Sequence, residues 1–153
     1  MLKKGFTLIE LLVVIGILAI LLAITLIAIN PARQFKQAND TKERSDILQI
    51  LNAVHQYNAE HKGVMPPAVV ALAVDTPTEI GGAAGQADLC PDIMGATGIY
   101  IPALPTLPSL GTPNVTTCNN TYALGYTIAK DANGRVTVAG DTDVNGTAIT
   151  VTR

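Results

Sequence analysis

Glu10 stands inside an apolar run that extends from Phe6 to Ile29, five residues after Gly5. A carboxylate in lipid costs about 2.5–3.5 kcal/mol at the centre of a helix and less toward its end, so an acid retained there calls for a cation. Lys3 and Lys4 lie just ahead of the run, with stems long enough to snorkel along the membrane edge. A second cation arises if the chain is cut between Gly5 and Phe6, because that hydrolysis leaves an amine on Phe6.

Other reactive residue types are scattered and incomplete. Asp141, Asp143, Asn145 and Gly146 copy the opening of a calcium loop, in which oxygen ligands at alternate positions precede a glycine turn; the place of the bidentate glutamate is taken by Thr152. That makes Asp141, Asp143 and Asn145 a calcium candidate beside the simpler reading of a hairpin turn. His55 and His61, six apart, do not share a helix face as a zinc pair and read as solvent-facing or capping residues. No glycine-rich phosphate loop, no Ser-His-Asp set and no full metal set is legible, so neither an enzyme nor a resident cofactor is expected.

The order Lys3-Lys4-Gly5-Phe6-Thr7-Leu8-Ile9-Glu10-Leu11-Leu12-Val13-Val14 resembles the start of type IV pilins and of type II secretion pseudopilins. The resemblance covers about the first 60 residues. It implies that a prepilin peptidase cleaves between Gly5 and Phe6, that the Phe6 amine is then methylated, and that pilus assembly machinery draws the subunit from the membrane into a homo-oligomeric filament. Glu10 would then attract the Phe6 amine of a neighbouring subunit or of its own chain. The same resemblance brings calcium in pseudopilin heads, and a head whose sheet lies on the helix. Adhesion, twitching motility and DNA uptake are open to such a filament, as is the secretion pseudopilus. An ordinary secretory signal is the plainer alternative, but its apolar region spans only about 7–15 residues. A monomeric, membrane-anchored domain that binds a ligand through its cysteine loop is the alternative from another class.

The elements around these residues suggest an α+β chain with a pilin-like plan: a leader at 1–5, a membrane-spanning and assembly helix at 6–29, an amphipathic extension at 30–62, a Pro/Gly-rich region at 63–120 and an antiparallel sheet at 121–153. As a helix, 6–29 is about 36 Å long, enough for a hydrocarbon core of about 30 Å. The lysines ahead of it place that end in the cytoplasm and the rest outside, first in the cytoplasmic membrane and then on the cell surface. Pro31 allows a kink, a local unwinding or a helix end, and the helix is expected to continue past it to about Lys62. Charged residues from Arg33 to Asp46 form a solvated face with i,i+4 pairs, and Ile47, Leu51, Val54 and Tyr57 form an apolar stripe for the sheet.

An even cysteine count in an outward-facing domain predicts a Cys90–Cys118 disulfide. Inside that loop, Ile101, Leu104, Leu107 and Leu110 recur every third residue among prolines, the period of polyproline II with one aliphatic ridge. Strands are expected at 121–129, 135–139 and 148–152. Their turns are Asp131-Ala132-Asn133-Gly134 and Asp143-Val144-Asn145-Gly146. Losing Lys3 and Lys4 with the leader takes the formal charge from -2 to -4, and no basic footprint for nucleic acid is evident.

Overall fold

In the computed structural model, described over residues 5–95 and 99–153, the chain is α+β and divides into two compact units, Met1–Lys36 and Gln37–Arg153. Met1 to Lys4, which carry most of the leader, lie outside the described residues.

The first unit holds helix α1, Leu8–Ile29, on which no residue is buried. It is apolar all round, which suits a lipid-facing or helix-packed environment and no water-exposed one. Asn30 adopts a left-handed conformation (φ 46°), and helix α2, Pro31–Glu60, begins at the next residue. Helical structure thus continues past Pro31 as expected, with an interruption at the single residue Asn30. Pro31 has no N–H for the Ile27 carbonyl, and Asn30 caps the new helix instead: its carbonyl and Oδ1 accept from the Arg33 N–H at 3.1 and 3.4 Å.

The second unit builds its core between the later part of α2 and a four-stranded antiparallel sheet. Strands β1 (Thr78–Gly81), β2 (Ala123–Lys130), β3 (Val136–Thr142) and β4 (Ala148–Thr152) lie in that order. Ile47, Ile50, Leu51 and Val54 of α2 pack in one core with Leu124, Tyr126 and Ile128 of β2, Val136 and Val138 of β3, and Ile149 of β4. Alternate positions of β2 point inward, as the period of a half-buried strand requires.

The sheet thus begins at Thr78, inside the region read from sequence as wholly Pro/Gly-rich loop. A four-residue strand between Pro77 and Gly82 offers too short an alternation to be read, and it exists because β2 supplies its ladder partners. Strands β2 to β4 form the expected meander, with β2 and β3 displaced by one to three residues at their ends and β4 at the expected bounds. A short helix, α3 (Pro67–Val70), and a single wide turn at Cys90–Met94 complete the unit.

Cys90 and Cys118 are bonded, with their Cα atoms 5.5 Å apart. Of the aliphatic ridge, Ile101, Leu104 and Leu107 are buried. Leu110 is about half exposed, because Pro108–Leu110 tighten into a 3₁₀ turn that leaves the extended path. That turn still brings Leu107 and Leu110 onto Gly125 of β2, where any Cβ would collide with them.

Candidate functional site: the start of the first helix

Thr7 is the N-cap of α1 and Glu10 its third residue, and the two close a capping box. The Thr7 N–H and hydroxyl donate to Glu10 Oε2 at 2.8 and 2.7 Å, while Thr7 Oγ1 accepts from the Glu10 N–H at 3.3 Å. The acid that needs a partner in an apolar setting therefore has a local one. This arrangement places carboxylate charge at the positive end of the helix and satisfies N–H groups that have no intrahelical acceptor. Thr7 is the residue that sequence reasoning missed, although Thr-x-x-Glu before an apolar run is the signature of the box.

Gly5 and Phe6 precede the helix in non-helical backbone, and the Phe6 side chain is 88% exposed. A peptide bond in this state is open to an enzyme's active site, with no helical hydrogen bond to break. Phe6, Ile9, Glu10, Val13 and Val14 line an open, mainly apolar groove of about 370 Å³. Its only ionisable member is Glu10, so a partner filling it would be apolar with one point of polar register.

The remaining sequence candidates lie in the second unit. The Asp141–Asn145 segment ends β3 and enters the β3–β4 turn. Asp143 Oδ1 accepts from the N–H groups of Asn145 and Thr147 at 2.8 and 2.9 Å, and the Gly146 N–H donates to the Asp143 carbonyl at 2.9 Å. The β2–β3 turn repeats the same pattern: Asp131 Oδ1 accepts from Asn133 and Arg135, and Gly134 closes on Asp131. The two Asp-x-Asn-Gly segments are thus built as one kind of turn. Among the described residues, no group of three or more His, Cys, Asp and Glu side chains is placed to hold a metal ion.

The charged face of α2 differs from the sequence reading. Asp40, Glu43 and Asp46, expected in solvent, are buried. Each meets a donor from the sheet or its β3–β4 turn: Asp40 Oδ2 accepts from the Val144 N–H at 2.8 Å, Glu43 Oε2 from the Asp141 N–H at 3.1 Å, and Asp46 Oδ2 from the Tyr126 hydroxyl at 3.1 Å. Their spacing of three keeps them along one side of the helix, where they hold the hairpin end. Burial pushes the Glu43 and Asp46 carboxyls above their usual range against these hydrogen bonds, and burial with the nearby acids raises the Tyr126 phenol. Arg44 Nη2 stands 3.8 Å from Asp143 Oδ2.

His61 is exposed at the end of α2 and meets a last-turn carbonyl, as a capping residue would, whereas His55 is not solvent-facing. His61 stacks on Tyr57 with ring centroids 3.8 Å apart, and one ring nitrogen lies 2.9 Å from the Tyr57 carbonyl. His55 is partly buried, and its Nε2 has no hydrogen-bond partner among the described residues. Near the disulfide, the Tyr122 hydroxyl donates to Asp88 Oδ1 at 2.7 Å and accepts from the Cys90 N–H at 3.2 Å. Burial first and the Asp88 carboxylate second push that phenol up.

No curated protein and no solved structure matches the chain significantly. Residues 1–26 match the family model of the prokaryotic N-terminal methylation motif. That motif implies processing by a prepilin peptidase and handling by pilus assembly machinery. With Gly5 and Phe6 ahead of α1 and Glu10 in its first turn, residues 1–26 carry the N-terminal methylation motif, the class III signal found on type IV pilins and pseudopilins.

Proposed function

We propose that this chain is a structural subunit of a type IV pilus-like filament. The observation that carries the reading is the methylation motif at residues 1–26, running into a 22-residue helix with no buried residue. Cleavage between Gly5 and Phe6 frees the Phe6 amine, which is then methylated, and the Phe6–Ile29 segment remains as membrane anchor with the head outside. Assembly exchanges acyl chains around this segment for the same segments of neighbouring subunits. Both surroundings are apolar, so the net free energy of transfer is modest and a cytoplasmic motor can drive it in either direction.

Glu10 supplies register in this scheme. Sliding of apolar helices is poorly specified, whereas an acid in low dielectric selects the one offset that brings it a cation. The Phe6 amine of the incoming subunit, or of the same chain, is that cation. The Thr7 cap holds the carboxylate until docking and can remain bonded to it afterwards.

Filaments sheared from cells and sequenced from the N-terminus should begin at methylated Phe6, and cells lacking the gene should lose that filament in electron micrographs. A mature chain that retains Met1 to Gly5, or one never found in a polymer, contradicts the proposal. Loss of secretion without loss of surface fibres assigns the subunit to a secretion pseudopilus instead.

A further inference from the structure

The ten residues after α1, Asn30 to Asn39, contain two charged side chains, Arg33 and Lys36, and both are cationic. Both are exposed, and neither forms an ion pair among the described residues. Between them Phe35 is 73% exposed, an unusual position for an aromatic ring on a helix that is otherwise polar here. The first acid that follows, Asp40, is turned inward onto the Val144 N–H and offers these cations nothing. At about 100° per residue, Arg33 and Lys36 lie about 60° apart on one face of the helix while Phe35 projects about 100° or more from either, so the basic and aromatic groups occupy different sides.

We infer that Arg33, Phe35 and Lys36 form a collar that binds the anionic phospholipid headgroups of the membrane face from which the first helix emerges. The inference rests on the membrane residence of α1 proposed above. Counted from Ile29, these residues lie on the order of 6–10 Å further along the chain axis, and the headgroup layer is roughly 5–8 Å deep. Helical side chains tilt toward the N-terminus, which here is back toward the bilayer, so the stems of Arg33 and Lys36 reach down to phosphate level. An aromatic ring at that level has an apolar body in the acyl boundary, as in the aromatic belts of spanning helices. The break at Asn30 agrees with this depth: the Ile27 carbonyl, deprived of a Pro31 N–H, needs water or headgroups within reach.

The chain contains no tryptophan, so Phe35→Trp introduces a single fluorescent reporter. The full chain carrying it is reconstituted into phosphatidylcholine vesicles with and without phosphatidylglycerol, and flotation is measured first. The collar predicts flotation, blue-shifted emission, and quenching by lipids brominated near the headgroup that exceeds quenching by lipids brominated deep in the chains. It also predicts that phosphatidylglycerol strengthens this quenching, and that Arg33→Gln with Lys36→Gln abolishes the strengthening. A chain that floats with water-like, unquenched emission overturns the collar and leaves the membrane helix standing. So does quenching that ignores both phosphatidylglycerol and the double substitution. A blue shift without lipid quenching that disappears on dilution among vesicles assigns Phe35 to a second copy, also against the inference. Failure to float removes the membrane helix and the collar together.

Discussion

The Tyr126 hydroxyl on β2 donates to Asp46 Oδ2 on α2 across 80 residues of sequence, at 3.1 Å, and both side chains are buried. It is one of three carboxylate bonds, with those of Asp40 and Glu43, that fasten the sheet to the helix by polar groups beside the apolar core.

Removing the donor should leave an acid buried without its partner. Tyr126→Phe is expected to destabilise the folded unit by about 1–3 kcal/mol, the cost of an unsatisfied buried acceptor, and pairing it with Asp46→Leu should recover part of the loss. Denaturant unfolding of the full chain in detergent, analysed as a double-mutant cycle, measures the coupling; additive effects would show that the bond contributes nothing.

Glu43 and Asp46 also set a pH dependence. Burial raises both carboxyls in the folded state, so the native fold binds their protons more readily than the unfolded chain does. Their contribution is most favourable below the ordinary carboxylate range and is lost as pH rises through the raised folded values. Asp131 works in the opposite sense: hydrogen bonds from Arg135 lower its carboxyl, and its contribution fades as the solution is acidified through that lowered value. Glu43→Gln with Asp46→Asn should therefore gain on the wild type as pH rises from acid to neutral in thermal melts, and parallel curves would refute the burial effect.

Cys90 and Cys118 are separated by 28 positions, for which the chain-entropy model gives about 3.5 kcal/mol. Replacing both with serine should lower the unfolding free energy by roughly that amount. The loop after Cys90 should become the first site of proteolysis, which limited digestion with mass spectrometry checks.

Gly82 lies where β1 meets the segment that carries Cys118, and a Cβ there would run into the Asn119 carbonyl. Gly82→Ala should cost about 1–3 kcal/mol through overpacking, whereas Gly134→Ala, with nothing near its Cβ, should cost only the strain of its positive φ. Comparing the two melting points separates close approach from backbone conformation.

Glu10→Gln keeps much of the Thr7 cap but removes the charge, and Glu10→Val removes both. If the charge sets register, both lose filaments at equal membrane levels. If the cap alone matters, Thr7→Ala reproduces the defect and Glu10→Gln does not. Sheared filament yield distinguishes these, and assembly at the wild-type rate in both Glu10 variants removes the register role.

Features that depend on near neighbours could be read along the chain. The apolar run of α1 with its acid, the stripe Ile47-Leu51-Val54 and the two Asp-x-Asn-Gly turns each express a period or a local bond that a few residues complete by themselves, and the Cys90–Cys118 bridge is legible from a cysteine count of two. The Thr7–Glu10 box belongs with them, being a bond between residues three apart. What only the tertiary structure decided has partners far away. Strand β1 is too short to declare itself and is made by β2, and Asp40, Glu43 and Asp46 read as part of a mixed-charge, solvated helix face until donors from residues 126, 141 and 144 arrive. A carboxylate is buried or exposed according to whether a distant N–H or O–H replaces its water, and no local period carries that information.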